Sequence, residues 1–161
     1  MTVKEFIELV AMTDQDLPFL RKVYGSTRED ELSLVDWSKE QCESFLDMQF
    51  QAQHLYYGQQ FSAAEFCIIK FKGEPVGRLY VDYRDDEIRI VDIALLSQHR
   101  NRGIGTELMQ DLMARASRGG KCIGIHVEKN NPALNWYREL GFEEQSDQGV
   151  YLFMKWRPQG G

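Results

Sequence analysis

Nine residues, Arg100 to Leu108 (RNRGIGTEL), limit what this chain can fold into more than any other stretch. They separate an apolar run, Ile88 to Leu96 (IRIVDIALL), from an amphipathic stretch, about Ile104 to Ser117. The run predicts a buried strand and the stretch a helix, so the nine residues form a strand-to-helix turn. Gly103 and Gly105 lie within it. Glycine lets a backbone approach a ligand with no Cβ in the way, and the first N–H groups of a helix point outward with the positive end of its dipole behind them. Such a turn suits phosphate, and Arg100 and Arg102 add two fixed positive charges at its mouth.

Spacing separates the phosphate-binding readings. A dinucleotide fingerprint GxGxxG needs a third glycine at position 108, where the chain has Leu108, and a P-loop needs GK followed by Ser or Thr, which is absent here. RxxGxG remains, met by Arg100, Gly103 and Gly105. Taken alone, this pattern also fits a glycine turn that merely starts a helix.

With 161 residues, 43% of them apolar, the chain is expected to form one domain around one core. Its net charge of -6 argues against nonspecific nucleic-acid binding, which requires a basic surface, and is compatible with a cationic partner. Cys42, Cys67 and Cys122 are odd in number and widely spaced, so they predict reduced core residues rather than disulfides or a zinc site, and no metal is expected. There is no apolar run of membrane-spanning length and no basic leader, which gives no membrane association and a cytoplasmic location as expectations.

Along the chain, Lys4 to Ala11 reads as a strand, and Asp14 as the cap of a helix from Gln15 to Tyr24. Gly25 to Val35 is polar and predicts a loop. Ser38 with Gln41 resembles a capping box for a helix ending near Gly58, with Cys42, Phe45, Leu46, Met48 and Phe50 as its apolar set. Three strands follow in a meander: Ala64 to Phe71, Val76 to Tyr83 and Glu87 to Leu96, joined by KGEP and RDDE. Beyond the glycine turn come the helix to Ser117, a strand (Lys121 to Val127), a helix (Asn131 to Leu140) and two strands (Phe142 to Gln145, Gly149 to Trp156). That order implies an α+β fold, with parallel pairing where the helix after the turn crosses over.

A second segment, Asn130 to Phe142 (NNPALNWYRELGF), lies about one strand-helix unit downstream. RxxGxG after the fourth strand, a fifth strand, and then a helix carrying Tyr and closing in LGF together resemble the GCN5-related N-acetyltransferase (GNAT) superfamily. The resemblance is good over residues 64 to 156 and extends to the first sixty residues only in element order. It implies a mixed, mostly antiparallel sheet of six or seven strands flanked by about four helices, with a splay between strands four and five. It also implies an acceptor-side half (residues 1–62) and an acetyl-CoA-binding core (63–157).

By the same resemblance, the backbone of Asn101, Arg102, Gly103, Ile104, Gly105 and Thr106 holds the pyrophosphate of acetyl-CoA, with Arg100 and Arg102 at the rim. Ile93, Ala94 and Leu95 pair with the pantetheine arm. One asparagine at the start of the next helix touches the cofactor: counting back from Tyr137 selects Asn130, counting forward from Val127 selects Asn131, and both stay open. Tyr137 is the implied general acid, because a thiolate of pKa about 8.5 departs more readily when a phenol of pKa about 10 can protonate it. The competing reading is a core aromatic beside Trp136 and Leu140.

The implied reaction is direct acetyl transfer to a primary amine of a small molecule or peptide, and the alternative is a silent acyl-CoA sensor. At pH 7 a lysine amine costs about 4.6 kcal/mol to deprotonate, an α-amino group near pKa 8 only about 1.4 kcal/mol. A base must take that proton. Ribosomal-protein acetyltransferases of this superfamily use a Glu on the fifth strand, a place His126 occupies if the following loop is one residue short. The alternative is a strand histidine without a catalytic role. Asp92 is a second candidate base, or an aspartate fixing a neighbouring turn. The Glu that histone-type members carry on strand four is Arg89 here, a departure from that pattern. Selectivity is expected from His54 to Phe61 with Tyr24 and Trp37, or those residues are ordinary packing. Glu29 to Glu31 and Asp85 to Glu87 either attract a cationic acceptor or are solvated loops. The last strand, VYLFMKW, either pairs across a homodimer interface or closes the sheet.

Overall fold

A computed structural model describes residues 2–159. Seven strands form one sheet: β1 (Ile7–Ala11), β2 (Glu65–Phe71), β3 (Glu74–Tyr83), β4 (Glu87–Leu95), β5 (Cys122–Glu128), β6 (Glu143–Gln148) and β7 (Tyr151–Trp156). Their order is β1-β2-β3-β4-β5-β7-β6. Every neighbouring pair is antiparallel except β4 and β5. The helices are α1 (Leu17–Thr27), α2 (Glu29–Leu32), α3 (Lys39–Gln60), α4 (Ile104–Gly119) and α5 (Leu134–Glu139). A parallel pair needs a long crossover, which α4 supplies between β4 and β5. The α+β expectation holds, with seven strands and five helices instead of about four.

The sheet is covered on both faces. On one, Ile104, Leu108, Met109 and Leu112 of α4 pack against Ile88, Ile90, Ile123, Ile125 and Val127. On the other, Leu20 and Tyr24 of α1 and Leu46 and Phe50 of α3 pack on Ile68 and Tyr80. Each such buried side chain contributes roughly 2 kcal/mol through the apolar area it removes from water. Since side chains alternate along a strand, burying Ile123, Ile125 and Val127 under α4 turns Gly124, His126 and Glu128 to the opposite face.

Local chemistry fixes the ends of the elements. The Gln41 N–H donates to Ser38 Oγ (3.1 Å) and the Ser38 N–H to Gln41 Oε1 (2.8 Å), the reciprocal cap expected for α3. The helix runs past Gly58 to Gln60, and of its expected apolar set only Leu46 and Phe50 are buried, Met48 being 60% exposed. The first strand starts at Ile7 because Val3–Phe6 forms a 3-10 turn. Before α1 the chain makes another 3-10 turn, Asp14–Asp16, entered from Thr13, whose N–H donates to Asp16 at 2.8 Å; Asp14 is not the cap. The loop expected over Gly25 to Val35 is largely helical. There, burial of Val23, Tyr24 and Ser26 carries α1 on to Thr27 and Glu29–Leu32 adds a further turn, packing overriding polar composition. All three cysteines are free and only half-buried, not core residues. β7 lies between β5 and β6, so both its edges are paired within the sheet, and β6 is the edge strand on that side. Among the described residues, no helix is long and apolar enough to cross a membrane.

β4 and β5 pair only from Glu87 to Ile90, against Cys122 to Ile125. At that point the β3–β4 register shifts, with Val81 opposite Ile90 and Tyr80 opposite Asp92, which leaves Val91 as an extra residue. A bulge bends its strand and raises the local twist. Beyond Val91 the two parallel strands part, and the wedge between them is the expected splay.

Candidate functional site

The turn at the open end of the wedge is shaped by two left-handed residues, Asn101 (φ 60°) and Gly103 (φ 88°). Asparagine and glycine are the residues that tolerate this conformation, and it swings successive N–H groups to one side. Gly103 is the N-cap of α4 and accepts from the Glu107 N–H at 3.0 Å. Among the described residues, the N–H groups from Asn101 through Thr106 donate to no protein acceptor. They form a row of donors at a helix start, a ready anion cradle. A Cβ at Gly105 would meet Trp136 at an ordinary 3.6 Å, so internal packing does not require that glycine, whereas the φ of Gly103 does.

The two arginines of the turn differ. Arg100 Nε donates to Leu95 O (2.9 Å) and its Nη2 to Ser26 Oγ (3.1 Å), which ties the turn to α1. Arg102 is exposed and makes no ion pair among the described residues. Along β4, the Leu96 N–H donates to Val76 O at 2.9 Å, so by alternation Ala94 turns its backbone to β3 while Ile93 and Leu95 turn theirs to the wedge. The Ile93 backbone is therefore the open strand edge there, since Leu95 O already accepts from Arg100.

Tyr137 lies on α5, 4% exposed, between Trp136 (ring centroids 5.0 Å apart) and Phe142 (5.7 Å). The LGF segment that follows holds it in place. Gly141 takes φ 103°, its N–H donates to Arg138 O (3.0 Å), and the Phe142 N–H donates to Tyr137 O (3.0 Å). This is a Schellman closure with its apolar contact between Tyr137 and Phe142, a physical reason for the spacing of Tyr and Gly-Phe. Burial first, and the negative charge of Asp92 second, push the phenol above its ordinary range, so it stays protonated. The two asparagines also separate: Asn131 Oδ1 accepts from the Ala133 N–H (2.8 Å) in the turn into α5, while the Asn130 side chain has no protein partner among the described residues.

On the other side of the wedge, His126 is the first β5 residue beyond the last β4 pair. Its ring packs at a tilt of 35° against Phe153, with centroids 4.8 Å apart. Burial and the charge of Arg89 lower its pKa, which leaves the imidazole neutral at pH 7. Asp92 accepts from Tyr57 Oη (2.9 Å) and from Arg78 Nη2 (2.7 Å), and the same Arg78 nitrogen donates to Gln53 Oε1 (2.8 Å). It therefore anchors α3 to the sheet and not a turn, with both bonds converging on Oδ2. Of the aromatics expected to wall the cleft, Tyr57 reaches this cluster, His54 stacks on Phe50 (5.9 Å), and Trp37 packs on Phe45 (5.3 Å).

Two features escaped the sequence reading. Arg28 donates to both oxygens of Glu128 (3.2 and 3.0 Å), tying the end of α1 to the end of β5, one hundred residues apart in the chain. Nothing local signals such a contact. The second is Arg78, 2% exposed. A lone cation within VGRLYV, diagonal to an aspartate in the next strand, is a readable sign of a buried pair. Glu87, grouped with a solvated acidic run, is instead 7% exposed and pairs with Arg89 (2.7 Å) and Lys155 (3.4 Å). No cluster of three or more His, Cys, Asp or Glu side chains is placed to hold a metal among the described residues.

The arrangement has counterparts in known proteins. The pattern of the Acetyltransferase (GNAT) family matches residues 31–142. An N-alpha-acetyltransferase of Sulfurisphaera tokodaii is 40% identical over 110 residues, 59% of this chain and 64% of the relative, so the chain spans slightly less than two thirds of that protein. PaiA N-acetyltransferase of Thermoplasma acidophilum, solved in complex with coenzyme A, superposes with a TM-score of 0.70 at 16% identity, over 94% of this chain and 98% of that one. The ribosomal-protein-S18-alanine N-acetyltransferase of Escherichia coli does so with 0.63 at 17% identity, over 96% of each chain. With the strand-turn-helix cradle and the parted strands already in hand, the match over most of its length decides the family: this chain belongs to the Acetyltransferase (GNAT) family.

Proposed function

We propose that the chain is an N-acetyltransferase that moves the acetyl group of acetyl-CoA directly to the α-amino group of a peptide. The observation that carries this reading is the parting of β4 and β5 at Val91, with the open N–H row at one end of the wedge and the Tyr137 phenol at its side. In this scheme the N–H groups of Asn101 to Thr106 bind the pyrophosphate and Arg102 adds charge at the rim. The pantetheine arm lies as a further strand against the Ile93 backbone and the Leu95 N–H, and Asn130 supplies a side-chain amide to it. His126 removes a proton from the acceptor ammonium, and the amine attacks the thioester carbonyl. The tetrahedral adduct then collapses with breakage of the C–S bond, and the departing thiolate takes its proton from Tyr137. No enzyme nucleophile is needed, and none of the three cysteines is given a role.

The choice of an α-amino acceptor rests on three supports. The relative 40% identical to this chain is called an N-alpha-acetyltransferase. An α-amine costs only about 1.4 kcal/mol to deprotonate at pH 7, within the means of a single neutral imidazole. The His126 pKa is lowered, so the base form dominates at neutral pH.

The test follows free thiol release from acetyl-CoA with peptides bearing a free amino terminus, the same peptides blocked at the terminus but carrying lysine, polyamines and aminoglycosides. Free-terminus peptides are expected to give turnover. Release with polyamines or aminoglycosides alone would overturn the acceptor class. Binding of acetyl-CoA without thiol release to any amine would overturn the enzyme reading in favour of an acyl-CoA sensor.

A further inference from the structure

Arg89 stands where histone-type members of the superfamily carry a Glu on strand four, and its surroundings give it a different task. Its guanidinium carbon lies 4.7 Å from the centre of the Phe153 ring, and the ring of His126 lies 4.8 Å from the same centre. Phe153 is the cross-strand partner of His126 on β7, and Arg89 sits on β4 beside Gly124 of β5. One phenyl ring is thus in contact with both a cation and the imidazole. Arg89 is itself held: its Nε donates to Glu87 Oε2 at 2.7 Å, and Glu87 also faces Lys155 at 3.4 Å. The missing side chain at Gly124 makes room for this. A Cβ there would stand 2.8 Å from Glu87 Oε2 and 3.1 Å from Arg89 Nε, so any other residue would push the pair aside.

We propose that Arg89 and Phe153 are positioning residues for the acceptor base: Phe153 fixes the His126 imidazole at the narrow end of the wedge, and Arg89, seated over Gly124, holds its positive charge against the other contact of that ring. This rests on His126 as the base. The charged and titratable groups around the imidazole are Arg89 and Glu87 on β4, Arg84 in the turn before it, Lys155 and Tyr151 on β7, and Glu128 on its own strand. Burial, then Arg89, drive its proton off, and Arg84 adds to this; a hydrogen bond with Gln148 of β6 and the charge of Glu87 act the other way. Replacing a neighbouring cation with a neutral group favours the protonated imidazole, so the sign of the expected change is fixed.

The test reads His126 in two independent ways. The chain has three histidines, so proton NMR resolves them, and His126→Gln identifies the resonance of interest. In Arg89→Gln the titration midpoint of His126 should move to higher pH, and the acid limb of kcat/KM should move with it. Gly124→Ala, which keeps every charge but displaces the pair, should shift both in the same direction. Arg89→Lys should leave the midpoint near that of the parent, and Phe153→Leu should lower kcat on the order of tenfold through a misplaced base, with acetyl-CoA affinity unchanged. Thermal melts confirm that each variant is folded. An unmoved midpoint in both Arg89→Gln and Gly124→Ala overturns the role of Arg89, and full kcat in Phe153→Leu overturns that of Phe153. An acid limb that persists in His126→Gln overturns the base reading alone, since the NMR midpoint still reports on Arg89.

Discussion

In the proposed reaction the wedge has a donor side and an acceptor side, and the two are built by different means. The donor side, from β4 through α5, consists of consecutive segments: strand, left-handed turn, helix, strand, turn, helix. Its polar groups are backbone N–H groups whose direction follows from φ values at Asn101 and Gly103. On the acceptor side, side chains from α1, α3, β3, β5 and β7 meet across long stretches of chain, as in Arg28 with Glu128 and Tyr57 with Asp92. A site made of local backbone geometry tolerates variation in its side chains as long as its turn residues stay; a site made of distant side chains can be retuned one residue at a time. Single changes in the backbone cradle of the donor side should therefore act through affinity for acetyl-CoA, those on the acceptor side through the amine, and Tyr137, whose phenol faces the reacting atoms, through turnover.

The strongest way to break it is Gly103→Val. A branched side chain at φ 88° carries strain of about 3 kcal/mol, and relieving it by turning the N–H row away loses at least one hydrogen bond to a charged phosphate, about 1.5 kcal/mol. Acetyl-CoA affinity, measured by calorimetry, should fall about 150-fold if binding re-imposes that strain, and still about tenfold if the turn relaxes and one bond is lost. The room around that Cβ is free of protein atoms, so the fold itself should survive. Undiminished affinity would remove the phosphate reading and, with it, the contrast between the two sides.

The next largest effect belongs to Tyr137→Phe, which should lower kcat about a hundredfold and leave acetyl-CoA affinity nearly unchanged, as loss of a proton donor used only in the transition state requires. Because burial and Asp92 hold the phenol protonated, the parent enzyme should show no loss of acid function at mildly alkaline pH. An equal fall in affinity and rate would make Tyr137 a packing residue, the other reading open from its place beside Trp136.

These two predictions fall on residues that were legible in the sequence, and the reason is physical. Glycines at a strand-helix junction and a Tyr followed by Gly-Phe are imprints of backbone conformations, a left-handed N-cap and a Schellman closure, which single residue types satisfy. The parting of β4 and β5 was legible only through the resemblance, since the bulge at Val91 leaves no mark of its own in IRIVDIALL. Illegible altogether was the pairing of distant charges. Glu87 sits in the acidic string DDE yet is buried, and Arg28 and Glu128 lie in segments that read as polar loop and strand end. The polar stretch Gly25 to Val35 became helix for the same reason: contacts from far along the chain decide it.

Arg28 and Glu128 are where the comparison can be sharpened, because this pair joins the two sides at the acceptor face of β5. Both side chains are 22% exposed, so their attraction is only partly screened. Arg28→Ala and Glu128→Gln should each raise KM for a peptide acceptor roughly fivefold, with acetyl-CoA affinity unchanged. A double-mutant cycle should return a coupling of about 1 kcal/mol between them. Raised salt should weaken the parent toward the variants. If acetyl-CoA affinity moved instead, the pair would belong to the donor side, and the division at the wedge would be misplaced.

The smallest expected effects separate two neighbours on the donor side, Asn130 and Asn131. Asn131 Oδ1 takes the Ala133 N–H in the turn into α5, and losing that bond in Asn131→Ala should cost about 1 kcal/mol of stability and lower Tm by about 3 degrees. Its effect on acetyl-CoA should be indirect, through a looser α5 and a less well placed Tyr137, and so should appear in kcat. Asn130 makes no side-chain contact with the protein among the described residues, so Asn130→Ala should leave Tm within about a degree of the parent, as exposed substitutions do. Its amide is free for the pantetheine arm, and acetyl-CoA affinity should fall a few-fold, the worth of one neutral hydrogen bond. Melting curves and calorimetry on the two variants decide the matter. If the losses were exchanged, with stability falling in Asn130→Ala and affinity in Asn131→Ala, then the turn into α5 would rearrange when acetyl-CoA binds, and even the donor side would not be set by local backbone alone.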